Sequence, residues 1–313
     1  GMPGPTLSHF SAKDLWAQSG VLNGTGWLGR FADTAFVAGG DPLRGIVTTP
    51  DVPTMFKGST RSFASIPAST GFVFPSTLSL GKVGAPYAAQ ALEDAWGLSL
   101  ATVGTDPVSL AAHTAVRAAS KAFFDGQNAF GTDGTLPYRG PSVTYPGGSL
   151  SAQLILIAQM IATGIPGQVY GARLGGFDTH GDQAGVLPGL LRESGGALKA
   201  FWDDLAAIPV GTGTAQDKVL ILVWSEFGRR IRENDGGTDH GTAGLAFCIG
   251  KSLTGGFYGG GYPNLADPDV NGNMKATTDF RSLHATVLER HLGAAATTTN
   301  TILGANYPRL SFL

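Results

Sequence analysis

Two short polar stretches carry residue types that bind metals. The first, GGFDTHGDQ at 175–183, holds Asp178 and His180; the second, SEFGRRIRENDGGTDHG at 225–241, holds Glu226, Asp239 and His240. Carboxylate oxygens and imidazole nitrogens are donors to divalent cations. Asp178 and His180 are separated by one residue, so in an extended segment both side chains project to the same side, where one cation could take an oxygen and a nitrogen. The same spacing also serves an Asx-type loop, with Asp178 accepting backbone amides and His180 packing nearby. Glu226 follows an apolar run and has Arg229 and Arg230 close behind it. It reads either as half of an ion pair or as a carboxylate facing a metal or substrate, since burial without such a partner is costly. Asp239 and His240 stand between Gly236, Gly237 and Gly241, where the backbone can turn tightly enough for neighbouring side chains to converge. A rigid loop corner is the alternative there.

The elements that must position these residues come from periodicity. Each stretch follows a strand-like run, 168–174 for the first and KVLILVW at 218–224 for the second; in open α/β sheets ligands bind at the carboxyl ends of strands. The uninterrupted apolar character of 218–224 suits a sheet covered on both faces. Helices are expected over 8–20, 27–36, 87–100, 107–124 and 149–163, then over a long segment marked by Leu187, Leu191, Leu198, Phe201 and Leu205, and over 279–292. A further strand is expected at 244–249. The segment from 42 to 86, rich in Pro, Ser, Thr and Gly with β-prone pieces at 45–48 and 71–74, reads as an irregular insertion. Alternation of strand and helix predicts a mainly parallel, doubly wound α/β sheet with helices on both faces, in a single domain over 1–313 whose motif-bearing core spans about 149–293.

Composition excludes several function classes. Only 14% of the residues are charged, against roughly 25% in typical soluble domains, and the net charge of -2 supplies no electrostatic footprint for nucleic acid. One cysteine, Cys248, rules out an internal disulfide framework or a cysteine zinc cluster; in a strand it reads as a small buried apolar residue. The most apolar run, 154–162, is interrupted by Gln159 and falls short of the roughly 20 residues needed to span a bilayer. Gly1-Met2 reads as an expression scar, and no secretion signal follows it.

Other apparent signals carry little. GTGWLG at 24–29 matches GxGxxG but follows a helix-like segment, so it reads as a turn. The glycines at 255–261 read as a surface loop, His113 as helix surface, and His284 and His291 as a solvated helix face or as favourably placed near the helix C-terminus.

Taken together, GWLGRF (26–31), GGFDTHGDQ, VWSEFGRR, GTDHGTAG (237–244), GGFYG and TTDFRSLHATVLERHLG (277–293) resemble the domain of unknown function 1501 family over nearly the whole chain. That family resembles the alkaline phosphatase and sulfatase superfamily, and the resemblance implies a doubly wound core, one or two divalent metals (Zn, Mn, Fe, Ca or Mg), a small anionic ester as substrate, and export by the twin-arginine route to the periplasm. It implies that Asp178 and His180 belong to one metal site completed by His240, with Glu226 at the place of a second metal; Asp239, from its place beside His240, is a further candidate metal residue. Phe227 stands where the superfamily has a histidine. The resemblance makes Ser8 or Thr6, in the segment before the first helix, the nucleophile candidate, N-capping being the other reading of Ser8. Arg229 or Arg230 is expected to neutralise the anionic substrate. The family's opening strand and Gly-Gly-x-Asp segment do not occur in these residues, and are expected upstream of Met2. A catalytically degenerate binding or scaffold protein is the alternative that Phe227 and the missing segment raise.

Overall fold

The computed structural model describes residues 8–36, 41–68 and 140–313. The expected helices over 87–100 and 107–124, the β-prone piece at 71–74, His113 and Thr6 lie outside these residues. The described parts fall into two compact units, one drawn from Gly1–Ala35, Pro53–Ser62 and Leu174–Leu313, the other from Phe36–Val52 and Phe63–Arg173.

The second unit contains a three-stranded parallel sheet. Strand β1 (Gly45–Val47) lies between β2 (Ala64–Ser65) and β3 (Val169–Gly171), so the β-prone piece within the Pro/Ser/Thr-rich segment is the middle strand. All three β1 residues are buried, and Gly45 is glycine because a Cβ would stand 2.7 Å from the Phe63 ring. Helices α1 (His9–Gln18) and α2 (Trp27–Ala35) belong to the first unit and α3 (Ser149–Ala162) to the second. Leu150, Leu154 and Ile157 of α3 are buried as its periodicity predicts, but so are Leu156, Ala158 and Met160; burial on more than one face fits its strongly apolar composition. At its end the amides of Gly164 and Ile165 bond to the carbonyls of Ile161 and Met160, with Gly164 at φ 78°, the paired reverse bonds of a Schellman stop. The Gln153 side chain on α3 bonds Thr48 after β1 and the backbone of Arg173 after β3, joining helix to strand ends.

In the first unit α1 and α2 pack on a 3-10 turn at Thr54–Phe56. The GTGWLG segment serves this packing: a Cβ on Gly29 would meet the Lys57 carbonyl carbon at 2.1 Å, so glycine lets the helix lie directly on backbone. Helix α4 (Gln183–Leu205) follows the first polar stretch. Only its second half is buried, through Ala197, Ala200, Phe201 and Leu205, whereas Leu191 is exposed. Short antiparallel pairs follow: β4 (Pro209–Val210) with β5 (Gly213–Thr214), β6 (Ile221–Val223) with β9 (Phe247–Ile249), and β7 (Gly228–Arg229) with β8 (His240–Gly241). The apolar run at 218–224 therefore pairs antiparallel, and its strand residues are half-buried rather than covered on both faces. Cys248 in β9 is likewise half-buried, its thiol pushed up to about 11 by burial.

Helix α5 (Phe280–Thr286) starts at Asp279, whose carboxylate accepts the Arg281 amide. It passes into a π turn at Val287–His291 and then to α6 (Ala296–Leu303). Half-buried Arg30 on α2 donates to the carbonyls of Gln18 and Ile302, tying the ends of α1 and α6 to α2; partial burial lowers its pKa to about 10.

His284 corrects the expectation of a solvated helix face, for it is fully buried. Its ring stacks on Trp27 at 4.3 Å and meets Trp16 and Phe280 edge-on, while Nδ1 lies 3.0 Å from Ser19 Oγ. The aromatic body of imidazole explains the placement: a neutral ring packs like its aromatic neighbours. Burial, followed by the charges of Arg30 and Arg281 against that of Asp279, lowers its pKa to about 3. Since the unfolded chain binds this proton near its ordinary value of 6.5, the neutral ring leaves stability unaffected by this group above about pH 6.5. Between there and about pH 3 stability falls, by on the order of 4 kcal/mol if the whole shift is expressed. His284→Phe, which keeps the ring without the titrating group, is expected to flatten that decline in urea melts taken from pH 7 to pH 4; an unchanged slope would show that other groups cause it.

Candidate metal centre

The second polar stretch is a hairpin. Strands β7 and β8 pair Arg229 with His240 and Gly228 with Gly241, and the connecting loop closes between Asn234 and Gly237, whose backbones bond reciprocally. Asp235 and Gly236 at its tip have φ 54° and 83°. Two successive positive angles define the type I′ turn that Asp-Gly favours. This dipeptide was the local signal for a hairpin that periodicity alone does not reveal, because each strand is only two residues long.

The hairpin is fastened to the first polar stretch. Gln183 N donates to Gly236 O, Thr238 N to Thr179 O, and Thr238 Oγ1 to Gln183 Oε1. Arg229 donates to the carbonyls of Thr238 and Phe177 and lies 3.3 Å from Thr179 Oγ1. Its guanidinium thus holds the two stretches together from the protein side, and burial lowers its pKa in spite of Asp178 and Asp239. Gly237 lies so close that a Cβ would meet the His180 carbonyl at 2.2 Å.

This contact brings Asp178, His180 and His240 together, with one ligand atom from each lying within 4.8 Å of the others. His240 Nε2 is 2.6 Å and His180 Nε2 3.0 Å from Asp178 Oδ1. The His240 side chain is 10% exposed, whereas those of Asp178 and His180 are 49% and 50% exposed, so the group has a buried back and an open front. Burial acts to raise the Asp178 pKa, but the hydrogen bond from His240 and the charges of His240, His180 and Arg229 outweigh it and hold the carboxyl below its ordinary range. Phe227 stacks on His240 at 4.2 Å and 17°, with the Arg229 guanidinium 4.9 Å from the Phe227 ring centre. The ring that cannot ligate therefore walls the histidine that can.

The remaining candidates are placed as follows. Asp239 stands outside the group of three and approaches His180 Nδ1 at 3.5 Å. Glu226 is half-buried after β6 and is not part of the group; the carboxylates facing Arg229 and Arg230 include Asp178 at 3.9 Å and Asp239 at 3.8 Å. Ser8 is the N-cap residue of α1, but its side chain makes no capping bond, so its helix-start position comes without the hydroxyl contact expected of a cap. Trp16 on α1 stacks on Trp224 at 4.9 Å, which anchors the end of the run preceding Ser225 and Glu226.

The donor types fit a cation: two imidazole nitrogens and a carboxylate oxygen are a common zinc set. Ligands around a tetrahedral zinc stand roughly 3.3 Å apart, given bond lengths of about 2.0 Å, so binding would spread Asp178 away from His240. With an open front, the group can hold a cation and leave a position for an incoming oxygen.

The fold and site describe a mixed helix and strand protein with a three-residue cluster able to hold a metal ion. Residues 130–309 match the family described as Protein of unknown function (DUF1501), and the chain belongs to that family. No curated protein and no solved structure matches it.

Gly237→Ala tests the fastening. Because the overlap is with backbone, it cannot be relieved by a rotamer change and should cost roughly 1–3 kcal/mol in chemical denaturation. Wild-type stability in this variant would mean that hairpin and loop are less closely joined than the geometry shows.

Proposed function

We propose that this protein is a metal-dependent hydrolase of phosphate or sulfate esters, built on an alkaline-phosphatase-like, doubly wound core. The observation that carries the reading is the convergence of Asp178, His180 and His240 with a half-exposed front. Asp178, His180 and His240 would hold the cation, which when bound polarises an ester oxygen and offsets developing negative charge. Arg229 contributes from behind, fixing the Phe177 and Thr238 carbonyls and adding positive charge 3.9 Å from Asp178. The family resemblance supports Ser8 or Thr6 as the attacking hydroxyl; the lack of a capping bond leaves Ser8 Oγ uncommitted to the helix.

A non-catalytic binding or scaffold role is the second reading. Phe227 favours it, because its ring occupies the face of His240 at 4.2 Å, where the resemblance leads one to expect a ligand of a second metal.

Adding zinc or manganese to metal-free protein is expected to raise the thermal midpoint, with about 2.7 kcal/mol of stabilisation at 100 times Kd. His180→Ala should remove most of that increase and the turnover of aryl phosphates or sulfates. Binding without turnover supports the scaffold reading; absence of stabilisation by zinc, manganese, iron, magnesium and calcium refutes the metal reading.

A further inference from the structure

The two nitrogens of His180 face two different carboxylates. Nε2 is 3.0 Å from Asp178 Oδ1, within the three-residue group, while Nδ1 is 3.5 Å from Asp239 Oδ1, outside it. Asp239 is itself held: Asn234 Nδ2 donates to its Oδ1 at 3.1 Å, Arg230 lies 3.8 Å from its Oδ2, and its own carbonyl accepts the Arg230 amide at 2.9 Å. His240 has a different support, a buried setting against the Phe227 ring. His180 is half-exposed, so the contact at Nδ1 bears more of the work of fixing its ring.

We infer that Asp239 is a positioning residue and not a metal ligand: in the metal-loaded site it accepts the Nδ1 proton of His180, so that Nε2, the nitrogen on the side of Asp178 and His240, is the one left to ligate. This rests on the metal reading above. The physical reason is that a ligating imidazole offers one nitrogen to the cation and carries its proton on the other, and an acceptor for that proton selects both tautomer and ring orientation. Type I′ closure of the hairpin at Asp235 and Gly236 is what brings residue 239 back beside Asn234. The assignment also explains why adjacent residues Asp239 and His240 can both serve the site although they need not share a face: one reaches the group directly and the other reaches it through His180.

Zinc is the suitable probe, since mixed nitrogen and oxygen sites bind it more tightly than manganese or iron(II). Zinc affinity would be measured by chelator competition in the full chain for wild type, Asp239→Ala and Asp239→Asn, with ring nitrogen NMR of the zinc-loaded protein to identify the bound nitrogen of His180. The expected result is Nε2 coordination with Nδ1 protonated in wild type, and affinity about 10- to 100-fold weaker in Asp239→Ala. Asp239→Asn should stay within about threefold of wild type, because its amide oxygen still accepts an N–H. Equal losses in the two variants would make the carboxylate a ligand and overturn the inference, as would wild-type affinity in Asp239→Ala or coordination through Nδ1. Wild-type protein that binds no zinc ends the metal reading and this inference together, whereas the other adverse outcomes end this inference alone.

Discussion

The site depends on the fastening of the 228–241 hairpin to the loop that leads into α4. Arg229 holds carbonyls on both sides of that junction, and Gly237 allows the backbones to meet where any side chain would collide with His180. Asp178 and His240 are far apart in sequence, and their 2.6 Å contact exists because these two residues bring the segments into register. The closeness has an electrostatic consequence. A carboxylate beside two imidazoles and a guanidinium is kept ionised, despite the penalty of partial burial, and is thereby prepared to act as a ligand.

Support for this junction comes from unusually short elements. Strands β7 and β8 have two residues each, too few for ladder bonds alone to make a rigid platform. Side chains supply what the ladder lacks: Phe227 against His240, Trp16 against Trp224, and the buried His284 between Trp27 and Trp16. The last of these uses a titratable residue as an aromatic filler, which is stable only while the ring is neutral. Glycines at Gly29 and Gly237 do comparable work by omission, each admitting a backbone that a methyl group would exclude.

Much of the helical framework was legible. The apolar spacing over 149–163 and 279–292 corresponds to α3 and to α5 with its π turn, and the stop at Gly164 is a glycine at positive φ. The β-prone piece at 45–48 was legible as β1, but the Pro, Ser and Thr around it made 42–86 read as an irregular insertion, because three residues carry too little periodicity to show that they pair on both sides. The run at 218–224 misled for a related reason: apolar continuity reports affinity for burial and β structure but not the direction of the partner strand, which proved antiparallel. His284 was misread because helical spacing placed it on a face without showing that this face is covered by Trp16 and Trp27.

By itself the sequence determined the chemical repertoire: a single imidazole with several carboxylates in each polar stretch, glycines flanking Asp239 and His240, and a family membership that these motifs carry. Residue types and local spacing are sufficient for that, since they define which donors exist and which backbone angles are cheap. Only the tertiary structure decided which donors meet. It put Asp178, His180 and His240 in one group, set Asp239 behind His180, left Glu226 outside and turned Arg229 toward backbone carbonyls. Those outcomes follow from contacts between segments about 50 residues apart, the Arg229 to Phe177 bond spanning 52, and no pattern within a single segment encodes the distance at which two such segments come to rest.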